Sequence, residues 1–361
     1  MGLVLVEDTV AALGALARTH LEALRQAAAE QGDRLTVVAM TGSGGKTTTK
    51  DLTRQLLAAS GPTVAPRASF NNEIGLPLTV LEADESTRYL VLEMGASGPG
   101  HIAYLTDIAP LDAAGVLMIG HAHMGGFGSI EGVAAAKAEI IAGLRPEGIA
   151  ILNADDARAA AMAELAPARV LTFSAQGRQA DLRAENVDLD AAARAAFDLH
   201  LPGLAEPRRI QLAVAGVHNV SNALAAAGLA LAAGIAPELI ADRLGSVSIE
   251  SPHRMDISEL SGDLLLIDDS YNANIDSMTA ALAVLPALAG DRRRVVVISE
   301  MLELGESSAA DHARTGELAA RAGAAMLIGI GSTQEALEAA RARGVEVVGF
   351  DDAATAISQI D

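Results

Sequence analysis

The sequence contains no cysteine and only 2% aromatic residues, and each shortage excludes a class of site. Without cysteine the chain has no disulfides, no thiolate zinc sites and no cysteine nucleophiles, as is common in a reducing compartment. Any metal site must therefore use Asp, Glu, His or another oxygen ligand. With so few aromatic side chains, a stacking platform for single-stranded nucleic acid is not expected.

Positive charge and long apolar runs are scarce as well. Acidic residues outnumber Lys and Arg by 46 to 26, and the formal net charge of −20 would repel a nucleic-acid backbone or an anionic membrane surface. No apolar stretch approaches the roughly 20 residues of a membrane span, and no basic-then-apolar signal opens the chain. We expect a cytoplasmic protein that binds no nucleic acid and inserts into no membrane. The oligomeric state does not follow from the sequence; we favour a monomer.

Apolar β-like runs alternate with alanine-rich helical stretches along most of the chain. This alternation predicts an α/β fold with mostly parallel sheets covered by helices. Between residues 170 and 214 shorter β-like segments follow one another, which predicts a small antiparallel patch on the same domain. The predicted strands are Leu35–Met40, Tyr89–Glu93, Ala113–Ile119, Gly148–Leu152, Val170–Phe173, Ala184–Leu189, Ile210–Val214, Leu264–Asp268, Val295–Ile298, Ala325–Ile328 and Val345–Phe350.

Helical patterns cover Asn219–Ala233, a stretch starting at Ser277, and His312–Ala322. The pattern divides the chain into three parts. We expect an N-terminal helical segment and connector over 1–34, a central α/β domain over 35–250, and a Rossmann-like α/β C-terminal domain over 251–361.

A glycine-rich stretch between an apolar run and a helical run is the most informative feature of the chain. It comprises Gly42, Ser43, Gly44, Gly45, Lys46, Thr47 and Thr48. Such a loop closes backbone N–H groups around phosphate oxygens, while its lysine reaches the outer phosphates and the threonine hydroxyl holds Mg²⁺. We therefore expect a nucleoside triphosphate here; the alternative is a turn that only joins strand to helix.

Further polar residues lie at the ends of predicted strands, where open α/β sheets bind their ligands. Glu93 suits a Mg²⁺ ligand but also a solvated strand end, and the histidines at 121 and 123 are as often structural as metal-binding. Lys137 taken alone reads as a surface lysine on an alanine-rich helix.

Polar groups also mark the helix at Asn219 and the domain junction. Asn219 and Asn222 suit contacts to a nucleobase or a helix cap, and Arg254 suits a phosphate clamp across the cleft. Asp269 suits ribose binding or a turn.

Taken together and in order, these segments resemble the Mur ligase family, in particular the branch that adds D-alanyl-D-alanine to a UDP-N-acetylmuramoyl tripeptide. The matching stretches are TGSGGKTTTKD (41–51), NNEIGLPLTVL (71–81), LEMGA (92–96), AHMGGFGSIEGV (122–133), AKAEI (136–140), LNADD (152–156), GVHNVSNALAA (216–226), SPHRMD (251–256), DDSYNAN (268–274) and EMLELGE (300–306).

The resemblance implies an ATP-dependent amide-bond ligase of peptidoglycan synthesis, with the P-loop ATP-binding domain over 35–250 and the family's C-terminal domain over 251–361. ATP would phosphorylate the terminal tripeptide carboxylate, and the D-alanyl-D-alanine amine would attack the acyl phosphate. It also implies residue roles. Lys46 and the loop would hold the phosphates, Thr47 and Glu93 one Mg²⁺, His123 and a carbamylated Lys137 a second Mg²⁺, Asn72, Asn219 and Asn222 the nucleotide, Arg254 the transferred phosphate, and Asp269 the ribose.

Several positions depart from the family pattern. The family usually has other residues at Gly44, Ser97, Met118, Ile275 and Ser299; Ser97 and Met118 each remove a polar side chain near the nucleotide. From the resemblance we expect the family's UDP-binding domain to be missing before Leu35, and the family's last strand and helix to be missing after Asp361. We expect a shortened ligase that binds its UDP-sugar poorly. The alternatives are a catalytically impaired nucleotide-binding scaffold and a small-molecule kinase, which explains only residues 35–60.

Overall fold

A computed structural model of the chain describes residues 4–120 and 127–359. Within those ranges nine strands form one sheet, in the order β2-β3-β1-β4-β5-β6-β7-β8-β9. The strands are β1 (Thr36–Thr41), β2 (Thr63–Val64), β3 (Tyr89–Glu93), β4 (Leu111–Val116), β5 (Leu144–Asn153), β6 (Arg169–Ser174), β7 (Leu182–Leu189), β8 (Arg194–His200) and β9 (Arg208–Ala215).

The first seven strands in that order run parallel to their neighbours, whereas β8 is antiparallel to both β7 and β9. The predicted mostly parallel sheet with a small antiparallel patch is thus confirmed. The patch continues the parallel sheet. Strand β8 is absent from the sequence-based predictions, although its alternating burial is that of a half-exposed strand.

Helices cover both faces of this sheet, which is why the six residues of β1 are all buried. The helices are α1 (Thr9–Glu30), α2 (Lys46–Ala58), α3 (Gly75–Leu81), α4 (His101–Ile108), α5 (Ile130–Ala142), α6 (Ala157–Ala161), α7 (Asn219–Ala232) and α8 (Pro237–Leu244). One core layer lies between the sheet and helices α2, α7 and α8; the other lies beneath α1, α3, α4 and α5.

Helix α1 belongs to the second of these layers. Asp8 caps its start by accepting from the backbone N–H groups of Val10 and Ala11, and Leu21 and Leu24 are buried in the same core as β1 and β3. The sequence predicts a helical segment and connector over residues 1–34; α1 is a helix within that range, and its buried leucines belong to the core of the central sheet.

The C-terminal part contains a three-stranded parallel sheet with the order β12-β13-β14 and a separate antiparallel hairpin, β10-β11. The elements are β10 (Asp256–Leu260), β11 (Leu264–Asp268), α9 (Ile275–Ala289), β12 (Val295–Ser299), α10 (Ser308–Arg321), β13 (Met326–Ile330), α11 (Gln334–Arg341), β14 (Glu346–Phe350) and α12 (Ala353–Gln359).

The hairpin differs from the sequence-based expectation. Leu264–Asp268 is a strand, as predicted, but it pairs antiparallel with Asp256–Leu260, a strand that the prediction omitted. The turn between them contains Gly262 at φ +80° and Asp263 at φ +60°, conformations that glycine and aspartate tolerate.

In the described ranges no helix combines the length and the apolar character needed to cross a bilayer.

Candidate active site

The glycine-rich loop joins the carboxyl end of β1 to the start of α2, as the sequence predicts for a phosphate-binding turn. Gly45 has φ +81°, and a Cβ built there would lie 2.3 Å from Asn222 Oδ1. Both the backbone conformation and the close contact therefore require glycine. Lys46 Nζ donates to the Gly42 carbonyl at 2.9 Å, which holds the lysine side chain over its own loop.

Two buried asparagines at the start of α7 lie next to this loop. Asn219 Nδ2 donates to the Ala215 carbonyl at 2.7 Å, and Asn222 Nδ2 donates to Asn219 Oδ1 at 2.8 Å. Thr49 Oγ1 completes the chain by donating to Asn222 Oδ1 at 3.4 Å. Asn222 lies against Gly45 of the loop and Asn219 holds Asn222 in place; neither asparagine lines the cavity described next.

A cavity of about 810 Å³ opens in front of the loop, between the central and C-terminal parts. Most of the predicted site residues lie in its wall. These are Ser43, Gly44, Gly45, Lys46, Thr47, Thr48, Asn72, Glu93, Lys137 and Arg254. The topology explains the convergence, because β1 and β3 are neighbouring parallel strands whose carboxyl ends share one edge of the sheet.

Glu93 is 1% exposed at the end of β3. Its Oε1 accepts from Asn71 Nδ2 at 2.7 Å, whereas its Oε2 is buried without a hydrogen-bond partner in the described part of the chain. A buried carboxylate oxygen without a partner is costly unless a cation or donor reaches it. This geometry suits a divalent metal and is not that of a solvated strand end.

Arg254 reaches the loop from the domain junction. Its Nη2 lies 3.4 Å from both Thr47 Oγ1 and Ser69 Oγ, and these two hydroxyls are 2.8 Å apart. The guanidinium carbon lies 4.3 Å from the centre of the Tyr271 ring, a cation–π arrangement that holds the side chain in place. The cation therefore faces the position where the loop would hold the outer phosphates.

Three basic side chains line this cavity together with the buried carboxylate of Glu93: Lys46, Lys137 and Arg254. Burial lowers the pKa of Lys46; Arg254 lowers it further, and Glu93 opposes the change. Burial and the charge of Lys46 lower the pKa of Lys137 to about 7. Because desolvation and like charge both disfavour the ammonium forms, an anion of several charges would be stabilised here.

One wall residue, Asn72, binds backbone groups, and the remaining predicted residues that the structure describes lie outside the cavity wall. Asn72 Oδ1 accepts from the N–H groups of Ile74 and Gly75 at the start of α3. Asp269 Oδ1 accepts from Met255 N at 3.1 Å, burial raises its pKa, and it does not line the cavity. His123 lies outside the described residues. Among those described, no group of three Asp, Glu or His side chains is arranged to hold a metal.

Ser69, Asn71 and Tyr271 form part of the cavity wall but were not singled out as site residues from the sequence. Asn71 and Tyr271 belong to stretches that resemble the family, and this resemblance could have identified them as site residues. Ser69 carries no local pattern. A second cavity of about 570 Å³ lies beside β9 and the hairpin and shares Arg254 with the first.

Comparison with known proteins explains this arrangement. The family model for the Mur ligase middle domain matches residues 40–230, and the model for the Mur ligase glutamate ligase domain matches residues 253–361. The chain belongs to the Mur ligase family. Residues 231–252 separate the two matched regions, and Arg254 lies at the start of the second.

Curated Mur ligases named UDP-N-acetylmuramoyl-tripeptide--D-alanyl-D-alanine ligase are similar over most of the chain. The protein from Mycobacterium bovis is 44% identical over 302 residues, which is 82% of this chain and 59% of the relative. The protein from Escherichia coli is 38% identical over 310 residues, which is 85% of this chain and 67% of the relative. The chain thus spans about three fifths of the length of the first of these relatives.

Solved Mur ligase structures have the same fold. A crystal structure of MurF from Acinetobacter baumannii superposes with a TM-score of 0.86 at 34% identity, covering 98% of this chain and 74% of that one. MurF from Thermotoga maritima, solved in complex with ADP, superposes with a TM-score of 0.79 at 27% identity, covering 99% of this chain and 79% of that one.

Proposed function

We propose that this chain carries the ATP-binding and ligating machinery of an enzyme that joins D-alanyl-D-alanine to a UDP-N-acetylmuramoyl tripeptide, in the cytoplasm, during peptidoglycan precursor synthesis. One observation carries the proposal: Lys46, Glu93, Lys137 and Arg254 converge on one cavity in front of a phosphate-binding loop. The names of the Mur ligase relatives supply the substrates.

The loop and two cations would bind the ATP phosphates. Backbone N–H groups at the start of α2 favour negative charge, and Lys46 would turn from the Gly42 carbonyl to the outer phosphates. Arg254 would approach the transferred phosphate from the opposite wall. The second cavity, which also touches Arg254, offers space for the nucleoside.

Thr47 and Glu93 fit the binding of Mg²⁺ because they offer oxygen ligands at one wall of the cavity, and Lys137 would offer oxygens there only after carbamylation. The oxygen without a partner on Glu93 and the hydroxyl of Thr47 are direct candidates. Bound Mg²⁺ would neutralise phosphate charge and align the reacting oxygens. His123 remains a proposed ligand from the family resemblance alone.

Lys137 would join the metal ligands after carbamylation. Its neutral amine would attack CO₂, forming an N–C bond and releasing one proton, so that the side chain ends in a carboxylate. The lowered pKa of about 7 supports this, since a substantial share of the amine is then neutral near physiological pH. An ammonium at this position would repel a divalent cation.

The reaction would proceed by positioning and charge neutralisation. The terminal tripeptide carboxylate would attack the γ-phosphorus of ATP, forming an acyl phosphate and releasing ADP. The dipeptide amine would then attack the acyl carbon, and the tetrahedral intermediate would collapse to an amide and phosphate. Lys46 and Arg254 would stabilise the charge on the transferred group, while both walls of the cavity would limit water.

A coupled phosphate-release assay tests the proposal. ATP, D-alanyl-D-alanine and an acceptor tripeptide ending in lysine or diaminopimelate are supplied, and release should require all three. Arg254→Ala should lower the rate of release on the order of 100-fold, whereas Arg158→Ala, at an exposed cation outside the cavity wall, should leave it unchanged. Mg-ATP binding without acceptor-dependent release would favour the nucleotide-binding scaffold. Failure to bind Mg-ATP would reject both.

A further inference from the structure

A buried ion pair on α2 connects the phosphate-binding helix to two other segments. Lys50 and Asp51 are each 1% exposed and form a salt bridge with one another. Lys50 Nζ also donates to the Pro66 carbonyl and to Ser251 Oγ, both at 2.9 Å. One ammonium thus binds α2 to the segment before Ser69 and to the linker between the two domains.

The Asp51 carboxylate binds the backbone of the same linker. Its Oδ2 accepts from the N–H groups of Glu250 and Ser251 at 3.0 and 2.8 Å, and its Oδ1 accepts from Ser251 Oγ at 3.2 Å. The partners are about 200 positions apart in sequence, so these bonds fix the start of the C-terminal part relative to α2.

The two segments held by this pair both lead to Thr47. Three residues after Pro66, Ser69 contacts the Thr47 hydroxyl at 2.8 Å. Three residues after Ser251, Arg254 reaches the same hydroxyl at 3.4 Å. Thr47 itself lies one helical turn before Asp51, on the same helix.

Stability alone gives a weak reason for such a pair. Replacing a buried ion pair by well-packed apolar residues is often neutral or stabilising, because burying two charges is costly. What the pair provides here is a fixed geometry among three segments. A shift of about 1 Å in a reacting or positioning group can lower the rate on the order of 100-fold. Holding Arg254 in a fixed position therefore preserves the reaction rate.

We infer that Lys50 and Asp51 are positioning residues that align Arg254 and Ser69 with the phosphate-binding loop. This role rests on the proposed function for its effect on turnover, but its structural part can be measured without any activity. A second contact to the linker, between Arg54 and Glu250, is much more exposed and provides a matched control.

The structural test measures the distance between the two domains. Because the chain has no cysteine, Glu206→Cys and Glu335→Cys place two spin labels at exposed sites, one in each domain. Double electron–electron resonance should give a broader distance distribution for Asp51→Asn and for Ser251→Ala, and an unchanged one for Arg54→Ala. Ser251→Ala decides the matter if Asp51→Asn fails to fold. An unchanged distribution in the folded variants overturns the inference.

The kinetic test asks whether Asp51 acts through Arg254. In the phosphate-release assay Asp51→Asn should lower kcat on the order of 10-fold with a smaller change in the KM for ATP, as expected for lost alignment. In an Arg254→Ala background the same change should lower the residual rate less than about 2-fold, because coupled residues are not additive. Equal losses in both backgrounds overturn the inference. A wild-type chain that fails to bind Mg-ATP rejects the proposed function, and the distance measurement still decides the positioning role.

Discussion

Lys46 holds its place over the loop by one hydrogen bond to the Gly42 carbonyl, and this bond can be exchanged for phosphate oxygens. Lys46→Ala should weaken Mg-ATP binding by about 1.5–3 kcal/mol, which is the range for hydrogen bonds to charged groups. Titration calorimetry measures the change, and the unfolding temperature should stay close to that of the wild type. Arg208→Ala, at an exposed cation outside the cavity wall, should bind normally. Equal ATP affinity in Lys46→Ala would contradict the assignment of the loop.

Lys137 should carry a carbamate in solutions containing bicarbonate. Its pKa of about 7 leaves the amine mostly neutral at pH 8 and mostly protonated at pH 6, and only the neutral amine reacts with CO₂. A carbamate ¹³C resonance should therefore appear with ¹³C-bicarbonate at pH 8, strengthen with Mg²⁺ and fade at pH 6. Lys137→Gln should lack it. If the resonance has equal intensity in that variant, it belongs to another amine.

The sequence predicted most of the functional side chains at strand ends, but it did not predict their hydrogen-bond partners. Glu93 and Lys46 could be proposed because the motif and the strand end position them. The direction in which Asn219 and Asn222 point could not be predicted. Two amides at a helix start are equally consistent with contacts to a ligand and with hydrogen bonds to the protein's own backbone. Their contacts depend on Ala215 and the loop backbone, which the fold brings together.

At the scale of elements, α1 should contribute strongly to the stability of the central domain. Leu21 is 1% exposed in the core beneath the sheet, whereas Leu16 on the same helix is 58% exposed. Leu21→Ala should lower the free energy of unfolding by about 2–5 kcal/mol, as large-to-small core changes do. Leu16→Ala should change it by less than about 0.5 kcal/mol. Denaturant unfolding of both variants measures this, and equal small effects would show that α1 is only loosely attached.

Strands with continuous apolar runs were predicted well, whereas strands that mix apolar and polar residues were missed. The bounds of β3 agree to the residue because Tyr89–Glu93 is buried throughout. Strand β8 contains two alanines and three charged or titratable residues, so its alternation is weak in hydrophobicity and becomes clear only in its burial. The β10-β11 pairing could not be read from the sequence, because it depends on the turn geometry at Gly262 and Asp263.

At the scale of the molecule, we expect nucleotide to bring the two domains closer. Lys46 and Glu93 belong to one wall of the cavity and Arg254 and Tyr271 to the other, so a bound triphosphate would bridge them. Small-angle scattering should show a smaller radius of gyration with a non-hydrolysable ATP analogue and Mg²⁺. Arg254→Ala should reduce this compaction. Identical profiles with binding confirmed by calorimetry would contradict closure.

The chain has three lysines, and none of them is on an exposed surface: Lys50 and Lys137 are buried, and Lys46 is half-buried in the cavity wall. Surface cations are therefore arginines. Amine-acylating reagents, which modify many sites on most proteins, should here label little besides the N-terminal amine and the two lysines of the cavity wall: Lys46 and, more slowly because it is 2% exposed, Lys137. The rate of Lys46 acylation then reports how much of the cavity is occupied. Coupling the protein to a surface through its amines would block the same site.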